Sequence, residues 1–346
     1  MKAAVLYGKE DVRVEEITPA DLKPGEVRIQ IEAALTCGTD LKVFKRGYHA
    51  KMIVPPAVFG HELAGIICET RCTGPEGDCW QLGERVVVAN SAPCGHCFYC
   101  REGQENLCDD LLFLNGAYAE SIVVPARIVR KNLLRIKDTT DFRDAALVEP
   151  LACVVQGIEE IQLQAGQNVL VLGAGPIGLM FASLARHLGC HVTVGGRRQR
   201  RLETAQRLGA QQVINVGDGN SLVETIRHCT NTCFDSVIEA IGSPEVWQAA
   251  VQLVRKGGSV NFFGGCPSGT HVSLDTGLLH YSNLTLLASF HHIPHTIRRA
   301  LDFIESGVIQ AANFVDGKSP LTELPNLFRS MAAGNQAVKT LIDLRA

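Results

Sequence analysis

Four cysteines crowd into the segment CGHCFYCREGQENLC: Cys94, Cys97, Cys100 and Cys108, spaced Cys-x2-Cys-x2-Cys-x7-Cys. A structural zinc site takes four thiolates in a tetrahedron at about 2.3 Å, and x2 spacers let neighbouring cysteines reach one ion without strain. Cysteine also serves as a small core residue. Here, however, His96, Arg101, Glu102, Gln104, Glu105 and Asn106 are polar, so the segment reads as a closed zinc lobe over about residues 90–110. His96 is not needed as a ligand and is expected at the surface.

A second set of metal-competent groups is scattered over three segments: Cys37 in ALTCGTD, His61 and Glu62 in FGHELAG, and Glu149 in LVEPLAC. Singly, each has an ordinary use in a core or on a surface. Together, upstream of a dinucleotide motif, they have the character of an open zinc site with mixed S, N and O donors and room for a substrate oxygen.

That motif lies in QNVLVLGAGPIGLMFASLARHLG, an apolar strand, a glycine turn and a helix. Gly173, Gly175 and Gly178, with Pro176 and Ile177 between the last two, form GxGxxG in the context that gives it force: a tight turn, close approach to a pyrophosphate, close helix packing. The helix N-terminus adds N–H groups and partial positive charge. The next strand, CHVTVGG, ends at Gly196, where NAD-preferring proteins place an acid for the ribose hydroxyls. Arg197, Arg198, Arg200 and Arg201 follow. Guanidinium groups suit a 2′-phosphate, so the expected cofactor is NADP rather than NAD. VIEAIG (237–242), with Ala240, and VNFFGG (260–265) read as later parallel strands bordering the cleft, and the backbone at Phe263 and Gly264 is a candidate nicotinamide contact.

Taken in order, TCGTD, GHELAG, the four-cysteine lobe, VEPLAC and GAGPIG cover most of the chain and resemble the medium-chain zinc alcohol dehydrogenases, in the branch of the sorbitol (polyol) and threonine dehydrogenases. The resemblance implies a β-rich GroES-like catalytic domain joined to a doubly wound Rossmann domain with a parallel sheet. It also implies two zinc ions per chain. Carried over position by position, it makes Cys37, His61 and Glu62 ligands of the catalytic zinc. Glu149 matches a carboxylate that binds the metal or holds its water, and Thr39 matches a hydroxyl that passes on the substrate proton. Arg197 and Arg201 match the NADP-linked pattern, and His291 falls where relatives carry an arginine touching the cofactor. The implied reaction is hydride transfer between a polyol, sugar or other secondary alcohol and NADP. Zinc lowers the pKa of a bound oxygen, which prepares the alcohol to give up its hydride. This chain departs from the pattern after CGTD, where many relatives have a histidine; Lys42, Tyr48 and His49 are the candidates to finish the relay. Tyr48, Phe113, Leu114, Tyr118 and His292 are candidate pocket residues. The family also leads to the expectation of a homodimer or homotetramer.

These groups need a scaffold, and 346 residues with 46% hydrophobic content supply one of about two domains. Short strands such as VRIQIEA and RVVVAN, broken by glycine and proline, predict a mostly antiparallel catalytic domain over 1–152, rejoined by 290–346. Alternating strands and helices predict the cofactor domain over 153–289, with the active site in the cleft between the two. IRRALDFIESG and ELPNLFRSMAAG have helical period, and VKTLIDL ends the chain as a strand.

Composition removes other classes. The net charge of −3, from 33 Lys and Arg against 36 Asp and Glu, excludes a basic nucleic-acid surface. The uncharged, mostly apolar stretch of residues 169–185 contains GAGPIG and reads as strand, turn and helix rather than a membrane span. MKAAVLYGKEDVRVEE meets charge too early for a signal peptide, so a cytoplasmic protein is expected. There, 13 cysteines point to metal or redox chemistry. A zinc-free quinone reductase lacks these donors; a catalytically silent NADPH-binding relative is the alternative from another class.

Overall fold

The computed structural model describes residues 1–49, 51–72, 79–217, 221–334 and 337–345. The chain forms two compact units, one of Met1–Ala152 with His292–Ala346 and one of Cys153–His291.

The first unit is built on a seven-stranded sheet. Val27–Leu35 alternates buried and partly exposed residues, as a half-buried strand must. It pairs antiparallel with Glu62–Thr70, Ser121–Val124 and Lys339–Asp343. Arg85–Val88 and Leu133–Arg135 extend the sheet on one side, and Val315–Pro320, parallel to Lys339–Asp343, closes the other. A smaller sheet joins Lys2–Gly8 to Asp11–Glu16 and Ala57–Val58.

The register determines where the chemistry goes. Leu35 faces Glu62 across one ladder and Leu341 across another, so Cys37, His61, Glu62 and Lys339 are delivered to one end of the sheet. Thr36 clamps that end, donating its N–H to Thr340 O at 3.0 Å and accepting from Thr340 N–H through Oγ1 at 2.9 Å. Beneath it, Phe328 from the helix Leu324–Ala332 stacks on Phe44 at 5.4 Å and meets Phe59 at 5.3 Å and Tyr118 at 6.1 Å. All four rings are buried. Aromatic packing of this kind contributes beyond the area it buries.

The second unit carries a six-stranded, wholly parallel sheet in the order Gln212–Asn215, His191–Gly196, Asn168–Leu172, Phe234–Glu239, Val254–Phe262, Thr285–Ala288. The winding order of the strands reverses beside Asn168–Leu172, the position where doubly wound folds open a ligand crevice. The middle of the sheet is apolar, with Leu170, Val237 and Val260 fully buried, as expected of a sheet covered on both faces. Among the described residues, no helix is long and apolar enough to cross a membrane.

Candidate active site

Cys37 caps the helix Gly38–Arg46 with an extended backbone, and its sulfur accepts from Thr39 N–H at 3.4 Å. One turn on, Asp40 points back into the protein. Its Oδ1 lies 2.8 Å from His61 Nδ1, and its Oδ2 accepts from Tyr118 OH at 2.5 Å. A carboxylate on Nδ1 holds the proton there and leaves Nε2 as the metal-binding nitrogen. Burial alone would lower the His61 pKa; Asp40 and Cys37 outweigh it and carry it well above the ordinary value. Burial and then Asp40 push Tyr118 up, so it stays a hydrogen-bond donor.

Cys37, His61 and Glu62 each bring a ligand atom within 4.8 Å of the others. One thiol, one imidazole nitrogen oriented from behind and one carboxylate fit a zinc ion with a position left for a further oxygen. Glu62 has a second partner. Lys339 Nζ donates to Glu62 Oε1 at 2.6 Å and to Thr36 O at 2.9 Å, with both charged side chains buried. Burial pushes Glu62 up while Lys339 pulls it back; Lys339 is raised by Glu62 and Cys37 despite its burial. Because Nζ reaches both carboxylate oxygens, the two are held as an ion pair.

Glu149, in the first turn of the helix Val148–Ile161, stands outside that trio. Its Oε1 is 4.0 Å from His292 Nε2, which is 2.9 Å from Asn90 Oδ1. Burial raises Glu149 to about 7, against the pull of His61.

In the lobe, the four cysteine sulfurs lie within 4.8 Å of one another. Backbone N–H groups turn toward them: Cys94 N–H to Cys108 Sγ at 3.2 Å, Gly95 N–H to Cys100 Sγ at 3.4 Å and Cys97 N–H to Cys94 Sγ at 3.4 Å. The N–H of His96 is the chief cause that brings Cys94 down to about 6, whereas burial pushes Cys100 up to about 12. Four sulfurs packed this closely, with no cation between them, cannot all ionise; a divalent ion resolves the conflict.

In the second unit, a cleft of about 960 Å³ opens over the glycine turn, with Gly175, Gly196, Arg197, Arg198, Arg201 and Ala240 in its lining. The glycines divide the work. A Cβ on Gly178 would sit 1.8 Å from Gly173 O, so only glycine lets the helix Pro176–His187 pack there. A Cβ on Gly175 would meet nothing within 4 Å. That open space, at a helix N-terminus with no side-chain cap, fits a pyrophosphate. Glu239 holds the turn that brings Ile241 into the lining, its Oε1 accepting from Ile241 and Gly242 N–H at 2.8 Å each.

Comparison with known proteins supplies the rest. Residues 23–134 match the family model of the alcohol dehydrogenase GroES-like domain, and residues 176–306 match that of the zinc-binding dehydrogenases. D-altritol 5-dehydrogenase of Agrobacterium fabrum is 34% identical over 90% of each chain. L-threonine 3-dehydrogenase of Pyrococcus abyssi is 31% identical over 96% of this chain and 95% of its own. The chain belongs to the zinc-dependent medium-chain alcohol dehydrogenase family. Sorbitol dehydrogenase of Bacillus subtilis is a further relative, 28% identical over 99% of this chain and 97% of its own. Among solved structures, a protein described as a zinc-binding dehydrogenase from Sinorhizobium meliloti 1021, bound to NADP, superposes with a TM-score of 0.88 at 29% identity over 99% and 98% of the two chains. This dehydrogenase is thus an NAD(P)-dependent oxidoreductase of the alcohol and polyol class.

Several residues take a different place from the one their sequence context implied. Tyr118, a candidate for the pocket wall, is fully buried and holds Asp40. Leu114 belongs to the core, whereas Tyr48 is exposed. Of the relay candidates, Lys42 is exposed, and His49 spends Nδ1 accepting from Lys51 and Met52 N–H at 3.3 and 3.1 Å. Burial and then Arg46 lower the His49 pKa. The N–H groups of Phe263 and Gly264 both go to Glu239 O, and Gly264 O accepts from Trp247 Nε1 at 3.0 Å. His291 sits in the left-handed region at φ 63°, half-exposed. Asp40 and Lys339, which contact His61 and Glu62, are not among the residues singled out from sequence. An acid inside TCGTD and a lysine in a strand of otherwise buried pattern were the signals.

Proposed function

We propose that this enzyme transfers hydride between a secondary alcohol of the polyol or sugar class and NADP, with one catalytic and one structural zinc per chain. The observation that carries the reading is the buried Asp40–His61 pair, which turns Nε2 toward Cys37 and Glu62. Cys37, His61 and Glu62, with Glu149 behind them, would hold the catalytic ion, and Cys94, Cys97, Cys100 and Cys108 the structural one. Bound there, zinc would supply Lewis acidity that lowers the pKa of an oxygen ligand to about 7.

The chain's own residues do the remainder. Thr39 is half-buried two residues from Cys37; its hydroxyl accepts the substrate proton and passes it outward. The Asp40–Tyr118 contact keeps the His61 ring from turning as charge develops. The turn of Gly173, Gly175, Pro176, Ile177 and Gly178 seats the pyrophosphate. Preference for NADP rests on two features of one cleft: arginines 197, 198 and 201 in its lining, and glycine where an acid would receive the ribose. Glu245 also lines that cleft, so the guanidinium groups must outweigh one carboxylate.

The test is metal analysis of the purified enzyme with fluorescence titration of NADPH and NADH, followed by turnover of polyols. About two zinc ions per chain and at least about tenfold tighter NADPH are expected. One zinc that survives Cys37→Ser, or equal affinity for both cofactors, overturns the corresponding half of the reading.

A further inference from the structure

Cys72 and Cys79 stand outside both metal sites. The strands Glu62–Thr70 and Arg85–Val88 run antiparallel from Leu63↔Val88 to Ile66↔Arg85. Their arms stay bonded beyond that ladder, through Ile67 N–H to Glu84 O at 2.9 Å and Gly83 N–H to Ile67 O at 2.8 Å. Where the arms end, Cys79 Sγ lies 3.5 Å from the carbonyl oxygen of Cys72. Both residues are anchored from behind. Cys72 donates its N–H to Thr70 Oγ1 at 3.1 Å, and Arg71 before it is bonded on both sides, to Glu26 O at 2.9 Å and from Gly25 N–H at 2.8 Å. Trp80, next to Cys79, packs against the core of the unit beneath the Arg135 guanidinium, 4.2 Å from its ring centre.

A sulfur that touches its neighbour's carbonyl is within reach of that neighbour's sulfur. Disulfides need Cα atoms about 4.4–6.8 Å apart, and the 3.5 Å contact of Cys79 Sγ with Cys72 O sets the two residues side by side. Both cysteines are half-buried: held in place, yet open to a small reagent.

We propose that Cys72 and Cys79 form a reversible dithiol–disulfide site, oxidised by a low-molecular-weight disulfide of the glutathione type. One thiolate attacks the small disulfide, forming a protein–glutathione bond and releasing one glutathione thiolate. The second protein thiolate attacks the protein sulfur of that bond, closing Cys72–Cys79 and releasing the other. The protein thiols lose two electrons and two protons, and the small disulfide leaves as two thiols. Because the pair sits at the opposite end of its strand from Glu62, the readout is thiol chemistry rather than turnover.

Trypsin cuts after Arg71 and Arg85, so one peptide, residues 72–85, holds both sulfurs and no other cysteine. The zinc-loaded enzyme is equilibrated in buffers of glutathione and glutathione disulfide, alkylated and digested. In oxidising buffer the peptide is expected to escape alkylation at both sulfurs, to weigh two hydrogens less and to carry no glutathione; dithiothreitol restores both thiols. Cys72→Ser should instead trap glutathione on Cys79. A wild-type peptide that stays alkylated, carries glutathione or links to another cysteine overturns the proposal.

Discussion

Lys339 Nζ and Glu62 Oε1 lie 2.6 Å apart across 277 residues of chain, both side chains buried. Desolvating two charges is repaid only while both are present, and removing one partner typically costs about 3–5 kcal/mol. Lys339→Met should therefore destabilise the metal-free enzyme by about that much, as should Glu62→Met, whereas the double variant should lose less than the sum of the two. Denaturant unfolding of all four proteins, stripped of metal, measures the coupling. Additive losses would show that the pair is not the source of the cost.

Asp40 tests how the His61 ring is set. Partners behind a metal-bound histidine are typically worth 10–100-fold in affinity, so Asp40→Asn should raise the zinc dissociation constant by about that factor. Tyr118→Phe should have a smaller effect, because Asp40 stays against His61 Nδ1 and the aromatic packing remains. Competition with a chromophoric chelator gives both numbers. Unchanged affinity in Asp40→Asn would remove the carboxylate from the site.

Legibility followed sequence distance. The lobe and the glycine turn were readable because each is local: four sulfurs in 15 residues, three glycines in six. The parallel sheet was readable because strand and helix periods alternate. Asp40, Tyr118 and Lys339 were not assigned their roles, since each acts through a partner that only the sheet register brings near: Asp40 is 21 residues from His61 and 78 from Tyr118. Val315–Pro320, with the sequence VDGKSP, gave no strand signal at all. It holds its place through parallel bonding to Lys339–Asp343 and ends in a proline, which an edge strand tolerates.

For the cysteine lobe, Cys100→Ser should reduce zinc from about two to about one per chain while Cys37, His61 and Glu62 keep their ion. Elemental analysis combined with limited proteolysis reads this out: the lobe should become the first point of cleavage, since ligand loss in a structural site is a loss of local folding. Retention of both ions would mean that three sulfurs suffice.

Cofactor selectivity separates charge from shape. Replacing Arg197, Arg198 and Arg201 by alanine removes charge-assisted bonds worth about 1.5–3 kcal/mol each, so NADPH should bind at least about tenfold more weakly with NADH little changed. Gly196→Asp should not yield an NAD enzyme, because a Cβ there would come 2.8 Å from Ala174 Cβ in the glycine turn; both cofactors should weaken together. Fluorescence titration of each variant decides between the two effects.

Asp235 gives the second unit an acid-sensitive joint. Its Oδ2 accepts from Asn168 N–H at 2.7 Å, at the start of the central strand, and its Oδ1 accepts from Arg255 Nε at 2.7 Å. Burial works to raise its pKa, but the Asn168 N–H and Arg255 prevail and hold it below the ordinary carboxylate value. With the folded pKa depressed, the stabilisation is complete above the unfolded value of about 3.9 and disappears as pH falls through the folded one. Arg255 is partly exposed, so the main-chain bond carries most of the effect. Asp235→Asn should cost about 1–3 kcal/mol at neutral pH, and the gap to wild type should narrow below about pH 4. Trp247, stacked on Phe262 at 4.2 Å within this unit, reports its unfolding in a Trp80→Phe background. A gap that persists unchanged down to pH 2 would assign the loss to packing rather than to the carboxylate.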